Sequence, residues 1–225
     1  MKSANRNNQE RESEILLIYN VTAAAVGATV FYMTGKYCQA KYGGRDSLLC
    51  TLFCMMAGGG AELYCLHRYD GMGACLTAFG FFCILAAVTL TDMYCREIPD
   101  RYCLSVVLLA FVSVFTLPGL TVWERLAGVL CVSVPLLVIA VLVPGAFGGG
   151  DIKLMASCGL YLGGRITVVS AAIGILLAGG FGICLMLSGR KGAKDVFALG
   201  PFLCAGMTAG VIWGERILQW YVSAA

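Results

Sequence analysis

The chain has 225 residues, of which 59% are hydrophobic and only 13% charged. A soluble domain carries about 25% charged residues, so this chain has too little charge to cover a water-facing surface. The net charge of +3 comes from 16 Lys+Arg against 13 Asp+Glu placed between apolar runs, which excludes a broad basic surface for nucleic acid.

The first 14 residues form a polar tail with three basic and three acidic groups. Ile15–Tyr32 follows and is longer than a signal-peptide core, which predicts a retained first helix. Hydrophobic segments then recur at Ser47–Leu66, Met72–Thr91, Tyr102–Leu117, Glu124–Val143, Ile152–Leu162, Ile166–Leu187 and Leu199–Tyr221, with the first extending over Ile15–Thr34. Runs of this length predict an all-α, polytopic integral membrane bundle of about eight transmembrane segments. The division expected is a tail over 1–14, two helices with a short loop over 15–71, and a six-segment core over 72–225. Ile152–Leu162 is too short to span about 30 Å of hydrocarbon at 1.5 Å per residue. It is expected to be tilted, re-entrant or extended by the glycines before it, and those glycines are expected not to face lipid.

Twelve cysteines would suggest a disulfide scaffold in a small secreted protein, but most lie inside apolar runs and no C-x-x-C pair occurs. They read as small hydrophobes, and no metal site or cofactor is expected. Most of the 29 glycines read as places of close helix approach. Counting loops along eight spans puts Lys36, Lys41, Arg45, Arg96, Arg101, Lys153, Arg190, Lys191 and Lys194 on one side. Arg68, Arg125, Arg165 and Arg216 fall on the other with the tail. The positive-inside rule assigns the richer side to the cytoplasm.

Acidic residues are scarce, and two stand at segment edges on that same side. Asp92 ends the third segment in Thr89-Leu90-Thr91-Asp92, and Asp151 opens the sixth after Gly148-Gly149-Gly150. An Asp at a helix end is often only a cap or an interfacial group. Two carboxylates meeting in a partly dry site behave differently: they cannot both ionise easily, and the pair shares a proton. One member can then take a proton from water while the other donates to a carbonyl, which is peptide-hydrolysis chemistry. Glycine at 148, 149 and 150 leaves no Cβ in the way of an extended substrate backbone. Lys153 marks the interface or, turned toward the pair, favours ionised carboxylate.

At these residues the sequence resembles the type IV prepilin peptidases. Gly148-Gly149-Gly150-Asp151 fits the GxGD motif, and Ile152-Lys153-Leu154-Met155-Ala156 looks like its continuation. Asp92 with Ile98-Pro99-Asp100 resembles the first-aspartate motif, and Ala198-Leu199-Gly200-Pro201-Phe202 resembles the family's stretch near the C-terminus, with Leu199 in place of an aromatic. The resemblance implies a membrane-embedded aspartic endopeptidase of the cytoplasmic membrane, with Asp92 and Asp151 as catalytic pair, facing the cytoplasm. Its substrates would be the basic leader peptides of prepilins or pseudopilins, cut before the hydrophobic stretch. Residues 72–225 would be the peptidase core, and Gly148, Gly149, Gly150 and Lys153 would line the substrate. Many members carry two C-x-x-C pairs between their first two helices and also methylate the product. Here Gly35–Asp46, with Cys38 alone, occupies that place, so N-methylation is not expected.

Glu97, Asp100 and Asp195 are candidates to attract the basic leader. Glu62 is an intramembrane acid with no place in the pair. The rival reading is a small transporter or membrane scaffold with Asp92 and Asp151 as ligand-binding groups, but no inverted repeat is evident. A protease of the presenilin type would need a terminal Pro-Ala-Leu, which is absent. No G-x-S-x-G, H-E-x-x-H or P-loop offers another chemistry.

Overall fold

A computed structural model describes residues 20–37, 40, 48–69, 71–117, 119–143, 147–188 and 198–224. The tail over 1–14, Cys38, Asp195 and the basic residues Lys41, Arg45, Arg190, Lys191 and Lys194 lie outside them. Among the described residues every regular element is a helix: α1 over 20–37, α2 Leu48–Arg68, α3 Met72–Cys95, α4 Asp100–Thr116, α5 Val122–Leu142, α6 Gly149–Leu162, α7 Gly164–Leu187 and α8 Gly200–Ala224. Three of these, α3, α5 and α7, are long and apolar enough to cross a membrane.

The chain divides into two compact units, Met1–Phe79 and Gly80–Ala225, with the boundary inside α3. In the first unit α1 and α2 cross backbone to backbone, since a Cβ on Gly27 would stand 2.8 Å from the Cβ of Glu62. Phe31 and Phe79 pack with ring centroids 6.0 Å apart.

The second unit is organised around α6, which packs against α4, α5, α7 and α8. Of its 14 residues, Asp151, Leu154, Met155, Ser157, Cys158, Gly159, Tyr161 and Leu162 are buried, which explains an apolar helix too short to span a bilayer: it is a core element. Of the alternatives the sequence left for this segment, extension is the one observed, because Gly149 and Gly150 form its first turn behind Gly148 as N-cap. Gly163 closes it with φ 76, a left-handed conformation that costs glycine little, and the chain turns there directly into α7.

α4 shows the membrane logic of the unit. Cys103, Val106, Ala110 and Ser113 face inward at helical spacing, while Leu104, Leu108, Phe111 and Phe115 are exposed on the other side. Both faces are apolar or small, which suits lipid outside and close packing inside. α5 begins two residues before the segment expected at Glu124, because Thr121 and Glu124 form a capping box: Glu124 N–H donates to Thr121 Oγ1 at 3.3 Å and Thr121 N–H donates to Glu124 Oε2 at 2.9 Å. Arg125, counted with the side opposite the aspartates, is only 4% exposed, and its Nη1 donates to Ser113 Oγ at 2.8 Å and to the Leu160 carbonyl at 3.2 Å. It ties the far ends of α4, α5 and α6 together.

Candidate active site

The end of α3 and the starts of α6 and α8 converge at one end of the second unit. α3 stops because Arg96 adopts left-handed backbone, φ 54, with its N–H donating to the Asp92 carbonyl at 2.9 Å. Glu97, Ile98 and Pro99 follow without helix, and Pro99 in extended conformation opens α4 at Asp100. Asp92 therefore sits in the last turn of α3, only 5% exposed. Its Oδ2 accepts the backbone N–H of Gly200 at 2.9 Å.

Asp151 is the third residue of α6, just ahead of the apolar stretch, and 9% exposed. Burial pushes its carboxyl up from 3.8 to about 6, the nearby charge of Asp92 pushes the same way, and a backbone hydrogen bond from Gly148 opposes them. The two aspartates thus share one buried site although two whole helices separate them in the chain. α4 leaves this end and α5 returns to it, so the topology brings them together.

The three glycines before Asp151 differ in their surroundings. A Cβ on Gly148 would stand 3.0 Å from Asp151 Oδ2, so this position keeps room for the carboxylate. A Cβ on Gly150 would stand 3.0 Å from the Cβ of Ile98, so this position receives the loop after Asp92. At Gly149 nothing lies within 4 Å, which leaves it the one of the three open to an approaching chain. Lys153 turns away from the aspartates to Asp100, its Nζ donating to Oδ1 at 2.8 Å and Oδ2 at 3.0 Å, with both side chains mostly exposed. Asp100 is therefore already engaged, while Glu97 is exposed. Glu62 belongs to the first unit, where its buried Oε2 has no hydrogen-bond partner among the described residues.

Two contributors to the site stood in the sequence as motif residues without a role. Ile98 packs on Gly150, and its signal was the Ile98-Pro99-Asp100 motif that follows Asp92. Gly200 donates to Asp92, and its signal was a Gly-Pro pair at the start of a hydrophobic run, a helix start without a side-chain cap.

Residues 79–183 match the model of the type IV leader peptidase family. Over 147 residues the chain is 29% identical to the prepilin leader peptidase/N-methyltransferase of Bacillus subtilis (strain 168), covering 64% of this chain and 58% of that protein. Over 185 residues it is 26% identical to the protein of the same name from Burkholderia pseudomallei (strain K96243), covering 80% and 58%. A third relative of that name, from Aeromonas salmonicida, is 32% identical over 76 residues, 34% of this chain and 26% of that protein. The chain spans 58% of the length of the first two relatives. No solved structure gives a significant match. None of these similarities supports a transporter or scaffold.

Proposed function

We propose that this chain, whose residues 79–183 match the type IV leader peptidase family, is a membrane-embedded aspartic endopeptidase that removes the leader peptide of prepilins or prepilin-like proteins. The observation that carries the proposal is the pair of buried carboxylates, Asp92 and Asp151, near enough for the charge of one to act on the other. Such a pair holds a single proton near neutrality. The ionised member takes a proton from a water molecule as its oxygen attacks the scissile carbonyl, and the protonated member donates to the carbonyl oxygen. Collapse of the tetrahedral intermediate expels the amine, which takes up the proton first removed from water, while the hydroxyl on the former carbonyl oxygen returns its proton to the other aspartate. The relatives are named for two activities, and the proposal extends to the first, for which the carboxylates supply the chemistry.

The substrate strand would approach over Gly149, where an added Cβ would meet nothing within 4 Å. Glu97, rather than Asp100, is the acid available to a basic leader, because Asp100 holds Lys153. The site end of the unit would face the cytoplasm. Arg96, Arg101 and Lys153 lie at that end, which supports this orientation through the positive-inside rule.

The test is cleavage of a co-expressed prepilin by the wild type, Asp92→Asn and Asp151→Asn, each verified in the membrane fraction. Asn keeps the shape of the side chain and cannot carry the shared proton. Cleavage before the hydrophobic stretch by the wild type alone is the expected result. A mutant that keeps its rate would show that its aspartate is a cap or a ligand.

A further inference from the structure

The start of α8 is the one motif of the sequence that the proposed mechanism leaves without a task. It lies outside the part of the chain matched by the family model, which ends at residue 183. Gly200 is buried, and its N–H donates to Asp92 Oδ2 across 108 positions of chain. The next residue, Pro201, has no N–H, and the N–H of Phe202 is engaged with the Leu199 carbonyl at 3.0 Å. Of the first three residues of α8, Gly200 alone offers a backbone donor to another element. Space is as restricted as hydrogen bonding. A Cβ at 200 would stand 2.6 Å from Asp92 Oδ2, 2.9 Å from its Cγ and 3.1 Å from its Cβ.

We propose that Gly200 is a positioning residue for the reaction: its N–H anchors one oxygen of Asp92, and its missing side chain lets the carboxylate reach that donor. Anchored through Oδ2, Asp92 is fixed in rotation and keeps Oδ1 for the proton exchanged with water. The start of a helix adds a second attraction for the carboxylate, since the aligned peptide dipoles of α8 leave partial positive charge at that end. Pro201 fixes the backbone in helical geometry at the second position, which holds the Gly200 N–H on its line. The proposal rests on the aspartic peptidase reading given above.

Two variants test it in reconstituted full-length protein, with a prepilin peptide as substrate. Gly200→Ala introduces the Cβ, and an amide-to-ester replacement at position 200, made by suppressor tRNA in cell-free synthesis, deletes the N–H and adds no volume. A hydrogen bond to a charged group implies a loss of roughly 30-fold in kcat for the ester, and a larger loss for Gly200→Ala. KM should stay within about twofold of wild type, because substrate contacts are untouched. Gly179→Ala, whose Cβ would meet nothing within 4 Å, is the control for adding a methyl to a helix glycine and should keep the wild-type rate. An ester variant with wild-type kcat overturns the role of Gly200 and leaves the peptidase reading standing. Loss of kcat with an equal rise in KM and a lowered melting temperature overturns it too, as the mark of a merely structural position. A wild type that cuts no prepilin, with intact folding, removes the peptidase reading and this role with it.

Discussion

Gly128→Ala tests whether the crossing of α5 and α6 sets the position of Asp151. A methyl carbon at 128 would stand 2.8 Å from the carbonyl carbon of Gly159 and 3.0 Å from that of Gly163, and closer still to the Gly159 oxygen. Ordinary contact begins at 3.4 Å, so against the Gly159 carbon alone the methyl is about 0.6 Å too close. Every one of these atoms is backbone, so no rotamer change relieves the clash and the helices must part. Overpacking of this kind costs about 1–3 kcal/mol. Gly159 lies eight residues along α6 from Asp151, about 12 Å on the helix axis, so parting the helices there tilts the end that carries the carboxylate. Misplacing a catalytic group by about 1 Å costs on the order of 100-fold in rate. The expected outcome is a lowered melting temperature in nanodiscs together with a fall of about 10- to 100-fold in kcat. Gly159→Ala should behave alike, since its Cβ would run into the Gly128 backbone. A Gly128→Ala protein that melts and cuts like the wild type would refute the crossing as the determinant.

Four further outcomes follow from the geometry. Asp151 has its carboxyl raised from 3.8 to about 6, so the fold disfavours its ionised form: the group costs nothing below pH 3.8, and the cost grows to about 3 kcal/mol above pH 6. Asp151→Asn should therefore gain stability over the wild type as pH rises through that window, and a melting-temperature difference that stays flat from pH 4 to 7 would contradict it. Gly149→Leu should slow cleavage with little effect on melting, whereas Gly150→Leu should lower both, because Ile98 occupies its space; equal behaviour of the two in parallel assays would count against the assignment. Arg96→Gly should raise stability by about 1 kcal/mol, read from thermal melts, by relieving left-handed backbone at φ 54. Lys153→Ala should change stability by less than about 1 kcal/mol, since its pair with Asp100 is exposed, and a double-mutant cycle with Asp100→Ala measures the coupling.

The helices were legible because lipid-facing segments must be apolar throughout, so α3, α5 and α7 announce themselves by length and composition alone. Their ends were less so. Thr121 begins α5 through a polar cap that hydropathy ignores, and Asp100 opens α4 behind a proline for the same reason. Arg125 could be given a side from its place at a segment edge but not its burial, which depends on Ser113 and Leu160, twelve and thirty-five residues away. The two aspartates stood out because charge is rare in such a chain and the spans alternate direction. What the order of residues could not carry was the contact between Asp92 and Gly200, where the donor is a backbone N–H that every residue but proline possesses. Only the meeting of α3 with α8 singles it out.

The shortness of α6 also bears on where water reaches the aspartates. Gly163 and exposed Arg165 stand at one end of it, and Asp151 is twelve residues from that corner, about 18 Å along a helix. A hydrocarbon layer is about 30 Å thick, so α6 is not long enough to cross it, yet the exposed pair of Lys153 and Asp100 beside the carboxylate end calls for water or lipid headgroups there. A bilayer would have to thin around this end to meet so short a helix. On the peptidase reading, the rate would then depend on the thickness of the bilayer in which the protein is reconstituted.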